Sequence, residues 1–172
     1  SEVYNFAAQA GVRYSSINPD AYINSNILGF SNVISLSKKT NVKKFFYASS
    51  SSVYGDVKYF PIKENKEVYP KNLYGLTKKY NEELAKFYYE NFNFSSIGLR
   101  FFTVFGEWGR PDMFILKFLN ASFKGKKFNL NNRGDHFRDF TYIRDVVSIL
   151  TKLRSNNLKK GHEIYNICSN KP

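Results

Sequence analysis

The alternation of strand-like and helix-like segments is the feature that most constrains the fold of this chain. Residues 42–49 contain the continuous apolar run from Phe45 to Tyr47, which is typical of a strand covered on both faces. Residues 19–40 precede it with isoleucine and phenylalanine at helical spacing, and Pro19 suits a first helical turn. Residues 95–102 form the next strand-like run. Strands that alternate with helices form βαβ units, so the sequence predicts an α/β fold around a parallel sheet.

The rest of the chain continues this alternation around one long loop. Residues 55–72 are polar and contain two prolines, which predicts a loop. The helix after this loop carries an apolar stripe that is predicted to face the core: Leu73, Leu76, Tyr80, Leu84 and Phe87. The other predicted elements are a buried strand at residues 3–8, helices at 111–124 and 145–153, a short strand at 127–130 and a last strand at 163–168.

The charge of the chain suits an anionic partner, but on charge alone a lysine-rich solvated surface is the better interpretation. The 172 residues carry 26 Lys+Arg against 14 Asp+Glu, a net charge of +12. Nucleic acid, an anionic surface and a phosphorylated small molecule are all compatible with this balance. The lysine pairs are scattered along the sequence instead of forming one stripe, which argues against a face that tracks nucleic-acid phosphates. A non-catalytic domain that binds anionic polymers stays open as an alternative.

Other features bound the location and the kind of site. No apolar run approaches the ~20 residues of a membrane span, and no signal-peptide pattern is present. The single cysteine, Cys168, excludes an intrachain disulfide and suits a reducing compartment, so we expect a cytoplasmic protein. His136 and His162 have no acidic or cysteine partners at metal-ligand spacing, so both are predicted to be surface residues and no metal site is expected.

The pattern Tyr74-x-x-x-Lys78 is the first candidate for chemistry. Residues four apart lie on one face of a helix, so the phenol and the ammonium can point at the same place. A nearby cation favours the phenolate and lowers the tyrosine pKa from its ordinary value near ~10. Tyrosine then becomes usable as a general acid and base near neutral pH.

Longer motifs accompany this pair and carry a family resemblance. The segments are Phe6 to Ser15 (FAAQAGVRYS), Ser49 to Gly55 (SSSSVYG), Arg100 to Gly106 (RFFTVFG), Trp108 to Met113 (WGRPDM) and Arg138 to Ile143 (RDFTYI). In this order they resemble the extended short-chain dehydrogenase/reductase superfamily of NAD-dependent epimerases and dehydratases. Within that superfamily the chain is most similar to the UDP-glucuronate 4-epimerases.

The resemblance implies a reaction and a catalytic set. A tightly held NAD would take and return a hydride at C4 of a UDP-hexuronic acid, interconverting UDP-glucuronate and UDP-galacturonate through a 4-keto intermediate. Tyr74 would move the C4 hydroxyl proton, and Ser50 would hydrogen-bond the reacting oxygen. Lys78 would hold the nicotinamide ribose and keep the Tyr74 pKa low.

The resemblance also implies binding residues. The cofactor-binding set is Ala7, Ala8, Ser49, Tyr74, Lys78 and Phe101, and the substrate-binding set is Ser51, Ser52, Thr103, Arg110 and Arg138. Ser51 and Ser52 stand where the dehydratases carry an Asp-Glu pair, which argues against dehydration. Thr103, where galactose-type epimerases carry asparagine, favours a uronate. A UDP-glucose 4-epimerase and a UDP-glucuronate decarboxylase remain alternatives.

The resemblance finally implies an organisation of domains. Residues 1–108 would be the C-terminal half of a Rossmann-type NAD-binding domain with the catalytic residues. Residues 109–172 would combine a substrate-binding segment with the last Rossmann strand and helix. None of the 10 glycines forms the G-x-x-G-x-x-G pattern, so we expect a fragment that binds NAD weakly and is inactive alone. The full-length form is expected to be a homodimer.

Overall fold

The protein is an α/β structure whose elements alternate along the chain. The computed structural model describes residues 1–57, 59–135, 137–155 and 160–171. The strands are β1 (Glu2–Asn5), β2 (Lys44–Ser50), β3 (Ser96–Phe101), β4 (Thr103–Phe105), β5 (Phe140–Tyr142) and β6 (His162–Ile167). The helices are α1 (Pro19–Tyr22), α2 (Phe30–Lys39), α3 (Leu73–Phe92), α4 (Phe114–Phe123) and α5 (Ile143–Ser155).

These elements fall into two compact units. The first unit comprises Ser1–Phe101 and Leu158–Ile167, and the second comprises Phe102–Asn157 and Cys168–Pro172. In the first unit, strands β1, β2, β3 and β6 form a sheet in that order, and every neighbouring pair is parallel. The predicted fold class, a parallel sheet flanked by helices, is confirmed. Because the strands are parallel, β1, β2 and β3 all end at one edge of the sheet.

The predicted helix at residues 19–40 is confirmed, but its middle is not an α-helix. Asn18 caps its start by accepting a hydrogen bond from the Ala21 N–H at 3.2 Å. Between α1 and α2 the segment Ile23–Gly29 is a π-helix, a form found mostly as short insertions within α-helices. Hydrophobic periodicity did not predict this insertion, because one widened turn keeps the isoleucine and phenylalanine spacing close to helical.

The core of the first unit lies between one face of the sheet and helices α2 and α3. Its buried members are Phe30, Ile34, Phe45, Tyr47, Ala85 and Phe94. Phe46 points to the opposite face, where its ring stacks on Tyr4 with 4.8 Å between ring centroids. Both faces of β2 are therefore covered, as its continuous apolar run predicted.

The prediction for the buried face of α3 was wrong. Leu76, Tyr80 and Phe87 are 54%, 39% and 48% exposed, and only Leu84 of the predicted stripe packs against the core cluster. The helix instead buries a small and polar face: Gly75, Thr77, Lys78, Asn81, Glu82 and Ala85. A Cβ atom at Gly75 would lie 2.5 Å from the Ser52 carbonyl oxygen, so a glycine is needed where α3 approaches the chain after β2 this closely.

Several element boundaries also differ from the prediction. The first strand is shorter than residues 3–8, and as an edge strand of the sheet it leaves Tyr4 39% exposed. No strand forms at residues 127–130, and α4 begins at Phe114, three residues after Pro111. The predicted loop at residues 55–72, the helix at 145–153 and the strands at 95–102 and 163–168 are confirmed within a few residues.

The second unit contains a two-stranded parallel sheet that the sequence did not predict. Strands β4 and β5 pair from Thr103 opposite Phe140 to Phe105 opposite Tyr142. Helix α4 contributes Phe114 and Phe118, whose rings stack on each other and contact Phe128 edge-on. In the described part of the chain, no helix combines the length and the apolar character needed to cross a membrane.

Two buried tyrosines of the first unit should respond in opposite ways to loss of the hydroxyl group. The Tyr47 hydroxyl is fully buried and makes no hydrogen bond to any described residue. The Tyr54 hydroxyl donates to Asn166 Oδ1 at 2.8 Å and accepts from Arg100 Nη1 at 2.7 Å. We expect Tyr54→Phe to lower the free energy of unfolding by about 1–3 kcal/mol, because the buried Arg100 and the half-buried Asn166 each lose a partner.

Tyr47→Phe should leave the free energy of unfolding unchanged or raise it by about 1 kcal/mol, because an unpaired buried hydroxyl is costly. Urea unfolding followed by far-UV circular dichroism measures both variants. Equal destabilisation by the two substitutions would contradict the assignment.

Candidate active site

Tyr74 and Lys78 lie in the first two turns of α3, on the side that faces the end of β2. The Asn72 side chain caps this helix by accepting a hydrogen bond from the Gly75 N–H at 2.8 Å. The Lys78 Nζ atom lies 5.9 Å from the centre of the Tyr74 ring and donates to the Ala48 carbonyl oxygen at 2.8 Å. Tyr74 and Lys78 therefore lie close together, and a backbone carbonyl of β2 accepts a hydrogen bond from the Lys78 ammonium group.

Burial changes the acidity of this lysine. Lys78 is only 3% exposed, and burial lowers its pKa to about 8. The side chain is still mainly protonated at neutral pH, so it can supply the positive charge that lowers the pKa of a neighbouring phenol. The charge is lost in the range just above neutral pH.

The Tyr74 ring is half-buried and is positioned by a second tyrosine. Its ring meets Tyr22 edge-to-face with 6.2 Å between centroids. Tyr22 is fully buried, and its hydroxyl donates to the carbonyl oxygens of Ala10 (3.1 Å) and Gly11. This arrangement connects the candidate acid/base to the loop after β1.

Ser50 ends β2 and begins a 3₁₀ segment, Ser51–Tyr54. Its side-chain oxygen accepts a hydrogen bond from the Ser52 N–H at 3.2 Å. Ser50 is buried, whereas Ser51 and Ser52 are half-buried. The close approach of Gly75 to Ser52 brings this segment against the first turn of α3. Ser50, Ser51, Ser52 and Tyr74 thus lie on neighbouring segments of the candidate site.

Ser49 and Phe101 end neighbouring strands but differ in their surroundings. The buried Ser49 hydroxyl donates to Glu82 Oε1 at 2.5 Å, so its side chain is used inside the protein. Phe101 is half-buried at the end of β3, and its ring meets Phe6 edge-to-face at 5.6 Å. Phe6 directly precedes Ala7, so Phe101 lies near the loop after β1.

Ala7 and Ala8 follow β1 and border an open cavity of about 270 Å³. Asn26, in the π-helical segment, holds this loop. Its side chain accepts from the Gln9 N–H (2.8 Å) and donates to the Gln9 carbonyl (2.9 Å) and to Thr77 Oγ1 (3.1 Å). Asn26 therefore connects the loop after β1 to the helix turn between Tyr74 and Lys78.

Three predicted substrate residues belong to the second unit. Thr103 begins β4 and borders an apolar cavity of about 220 Å³. Arg110 is exposed and pairs with Asp112 at 3.0 Å. Arg138 is exposed, and its Nη1 atom donates to the Phe137 carbonyl at 3.4 Å.

Asp139 anchors the segment that contains Arg138. Burial opposes ionisation of its carboxylate, but hydrogen bonds from Ser169 and Thr141 and from the Lys171 N–H together lower the Asp139 pKa below its ordinary value. The Asp139 carbonyl oxygen also accepts from the Thr103 N–H at 3.2 Å. This residue thus joins two of the predicted substrate-binding positions.

The sequence motifs did not single out the buried ion pair between Glu82 and Arg100, whose closest atoms are 2.8 Å apart. The available signal was a glutamate four residues after Lys78, on the same helix face. The prediction for His162 was wrong, because its half-buried ring stacks on Tyr47 at 6.2 Å. His136 lies outside the described residues. Among the described residues, no group of three or more His, Cys, Asp or Glu side chains is arranged to hold a metal ion.

Comparison with known proteins decides the family. The model of the NAD dependent epimerase/dehydratase family matches residues 1–168. The chain belongs to this family. Protein CapI of Staphylococcus aureus is 47% identical over 152 residues, which cover 88% of this chain and 46% of CapI. UDP-glucuronate 4-epimerase 4 of Arabidopsis thaliana is 47% identical over 152 residues, covering 86% of this chain and 35% of that protein.

Solved structures of family members share the fold. The Bacillus cereus UDP-glucuronic acid 4-epimerase, in complex with UDP-glucuronic acid and NAD, superposes with a TM-score of 0.92 at 32% identity and covers 97% of this chain and 53% of its own. MoeE5 in complex with the same two ligands gives a TM-score of 0.91 at 34% identity, covering 98% and 56%. The chain spans between 35% and 56% of the length of these relatives.

The buried charge of Lys78 predicts a pH dependence of stability. Between the folded pKa of about 8 and the ordinary lysine value of ~10.4, the unfolded chain binds a proton that the folded chain does not. The free energy of unfolding should therefore rise with pH in this window, by on the order of 3 kcal/mol relative to Lys78→Met. Urea unfolding at pH 7, 8.5 and 10 measures this difference.

Lys86→Met is the matched control, because Lys86 lies on the same helix with its side chain 57% exposed. If the free energy of unfolding changed with pH in the same way in the wild type and in Lys78→Met, burial would not lower the Lys78 pKa, and the prediction would be wrong.

Proposed function

We propose that this chain carries the catalytic residues of an NAD-dependent nucleotide-sugar 4-epimerase that acts on a UDP-hexuronic acid. The proposed reaction interconverts UDP-glucuronate and UDP-galacturonate. The observation that carries the proposal is the placement of Lys78 against Tyr74, with Ser50 at the end of the neighbouring strand. The identity to proteins named as UDP-glucuronate 4-epimerases supports this choice of substrate.

The residues present fit the nicotinamide half of a bound NAD. Ala7 and Ala8 leave room for a ligand to approach the backbone at the end of β1, next to the open cavity. Lys78 offers a cationic hydrogen-bond donor beside Tyr74. Phe101 and the backbone of Ser49 complete the proposed set. When bound, NAD supplies the acceptor and donor of the hydride at C4.

Tyr74 performs the proton transfers in this proposal. Its phenolate takes the proton of the C4 hydroxyl as C4 becomes a ketone, and the phenol returns that proton when C4 is reduced on the opposite face. The ammonium of Lys78 stabilises the phenolate that is present before the first transfer and again after the second. The Ser50 hydroxyl hydrogen-bonds the C4 oxygen in both directions.

The serines after Ser50 favour epimerisation over dehydration. Elimination of water needs an acid and a base beside the sugar, and the hydroxyls of Ser51 and Ser52 are too weakly acidic and basic at neutral pH to replace a carboxylate pair. Hydroxyl groups can donate hydrogen bonds to a C6 carboxylate without the repulsion that acidic side chains would cause. Thr103 would add a third such donor.

Two arginines of the second unit are proposed to bind the nucleotide portion. Arg138 would clamp the diphosphate, because a guanidinium group can donate two parallel hydrogen bonds to phosphate oxygens. Arg110 would lie near the nucleotide. We propose the domain organisation that the resemblance implies. Residues 1–108 would hold the cofactor and the catalytic residues, and residues 109–172 would add substrate contacts and the last Rossmann strand and helix.

Product analysis tests the proposed reaction. The chain is assayed with NAD and UDP-glucuronate, both alone and in a chimera where it replaces the matching segment of the Bacillus cereus enzyme. We expect the chimera to form UDP-galacturonate of unchanged mass. The chain alone is expected to bind NAD weakly, because its 172 residues hold no G-x-x-G-x-x-G loop for the pyrophosphate.

The controls separate the alternatives. Tyr74→Phe should lower kcat of the chimera by about 10²–10⁴, as expected for a lost general acid/base. Tyr80→Phe, on the exposed face of the same helix, should leave it unchanged. Loss of CO₂ would identify a decarboxylase, and turnover of UDP-glucose alone would identify a neutral-sugar epimerase. A folded chimera without any turnover would contradict the proposal.

We also propose that the full-length form is a cytoplasmic homodimer whose copies pack through α2 and α3. The exposed apolar residues of these helices support this surface: Leu36, Leu76, Tyr80 and Phe87. A second copy that covers them would bury an apolar stripe that the first unit leaves exposed.

Sedimentation of charged variants tests this interface. Tyr80→Lys combined with Phe87→Lys should convert a dimer into a monomer, because two buried charges would lack partners. Phe123→Lys is the control, since Phe123 is 88% exposed on α4 in the second unit. A chimera that sediments as a monomer before any substitution would contradict the proposed interface.

A further inference from the structure

The interior of the first unit contains an ion pair that the proposed chemistry does not use. Glu82 and Arg100 pair through two hydrogen bonds, from Arg100 Nε (2.9 Å) and Nη2 (2.8 Å) to the two carboxylate oxygens. Both side chains are only 5% exposed. This two-pronged geometry holds the pair in one relative orientation.

Stability alone is a weak reason for such a pair. Removing two charges from water costs about as much as their attraction returns, and well-packed apolar residues often stabilise an interior equally well. The role of the pair is therefore better explained by the positions in which it holds the neighbouring segments.

Glu82 lies one helical turn beyond Lys78 on the buried face of α3. Two consecutive residues of β2 hold these two turns. The Ala48 carbonyl accepts from Lys78 Nζ at 2.8 Å, and the Ser49 hydroxyl donates to Glu82 at 2.5 Å. The next residue of β2 is Ser50. A shift of α3 along the strand would break both contacts and would change the distance between Ser50 and Tyr74.

Arg100 extends this connection to the other segments around the site. Its Nη1 atom donates to the Tyr54 hydroxyl (2.7 Å) and to the Glu64 carbonyl (3.0 Å). Tyr54 ends the 3₁₀ segment that begins at Ser51, and its hydroxyl donates to Asn166 of β6. The pair thus joins α3 to the ends of β2 and β3, to the 3₁₀ segment and to β6.

We propose that Glu82 and Arg100 are positioning residues that hold the helix carrying Tyr74 and Lys78 in register with Ser50. This inference rests on the proposed function only in treating Tyr74, Lys78 and Ser50 as the reacting set. The pair touches neither substrate nor cofactor in this role. Its effect passes through the placement of Lys78.

The test uses the 172-residue chain and needs neither NAD nor substrate. Lysine labelled with ¹³C at Cε reports the titration of each ammonium group by NMR, and the Lys78 signal is identified by its absence in Lys78→Met. The wild-type midpoint is expected near the Lys78 pKa of about 8. The main variant, Glu82→Leu with Arg100→Met, removes both charges together, so neither charge is left buried without its partner. The Ser49 hydroxyl and the Glu64 carbonyl each lose one hydrogen bond.

We expect this double variant to unfold cooperatively, at a lower midpoint than the wild type because Ser49, Tyr54 and Glu64 each lose a hydrogen bond. The Lys78 titration is expected to rise from about 8 to above about 9. Such a rise means at least a tenfold gain in proton affinity. We expect it because the Lys78 ammonium group, no longer held at the Ala48 carbonyl, would reach water. An unchanged Lys78 titration in the folded double variant would overturn the proposal, because the pair would then be structural only.

Two further variants keep the test decisive. If the double variant does not fold, Arg100→Lys keeps the charge balance but loses the two-pronged contact, and it should still raise the Lys78 titration. An unchanged titration there overturns the proposal as well. Ile34→Val, at a fully buried position of α2, should lower the free energy of unfolding by about 0.5–1.5 kcal/mol without changing the Lys78 titration. Failure of the epimerase assay would leave these results unaffected.

Discussion

The close packing of α3 against the end of β2 is the contact on which the candidate site depends. Gly75 permits this approach, because a side chain there would collide with the Ser52 carbonyl. Lys78 and Glu82 then reach Ala48 and Ser49, one helical turn apart. The helix is thus held to the sheet by polar contacts at the edge where ligands bind in parallel α/β folds. A buried ammonium, costly in itself, is tolerated because a backbone carbonyl accepts its hydrogen bond.

Some elements of the fold could be predicted from the sequence and others could not, for physical reasons. Strands β2 and β3 are local runs, and their apolar residues show in the sequence because both faces of these strands are covered. Helical spacing alone predicted that Tyr74 and Lys78 lie on one face of a helix. Strands β4 and β5, each three residues long, are too short for periodicity to reveal, and their pairing joins segments more than thirty residues apart.

The buried face of α3 could not be predicted from its composition. Periodicity identified an apolar stripe but not the surface that covers it. The sheet edge demands small and polar side chains from this helix, so Leu76, Tyr80 and Phe87 face away from it. The pairing of Glu82 with Arg100 could not be predicted either. Their pairing joins a helix to a strand eighteen residues later, and neither residue belongs to a motif that predicts contact.

These observations connect two properties of α3 that seem separate. A helix that presents the candidate acid/base Tyr74, a lysine and a buried glutamate to the sheet edge has less of that face left for apolar packing. Its apolar residues must then lie on another face, where water or a further protein surface meets them. The polar inner face and the exposed apolar outer face therefore have one cause. In this chain, the geometry proposed for catalysis also leaves exposed the surface proposed for a second copy.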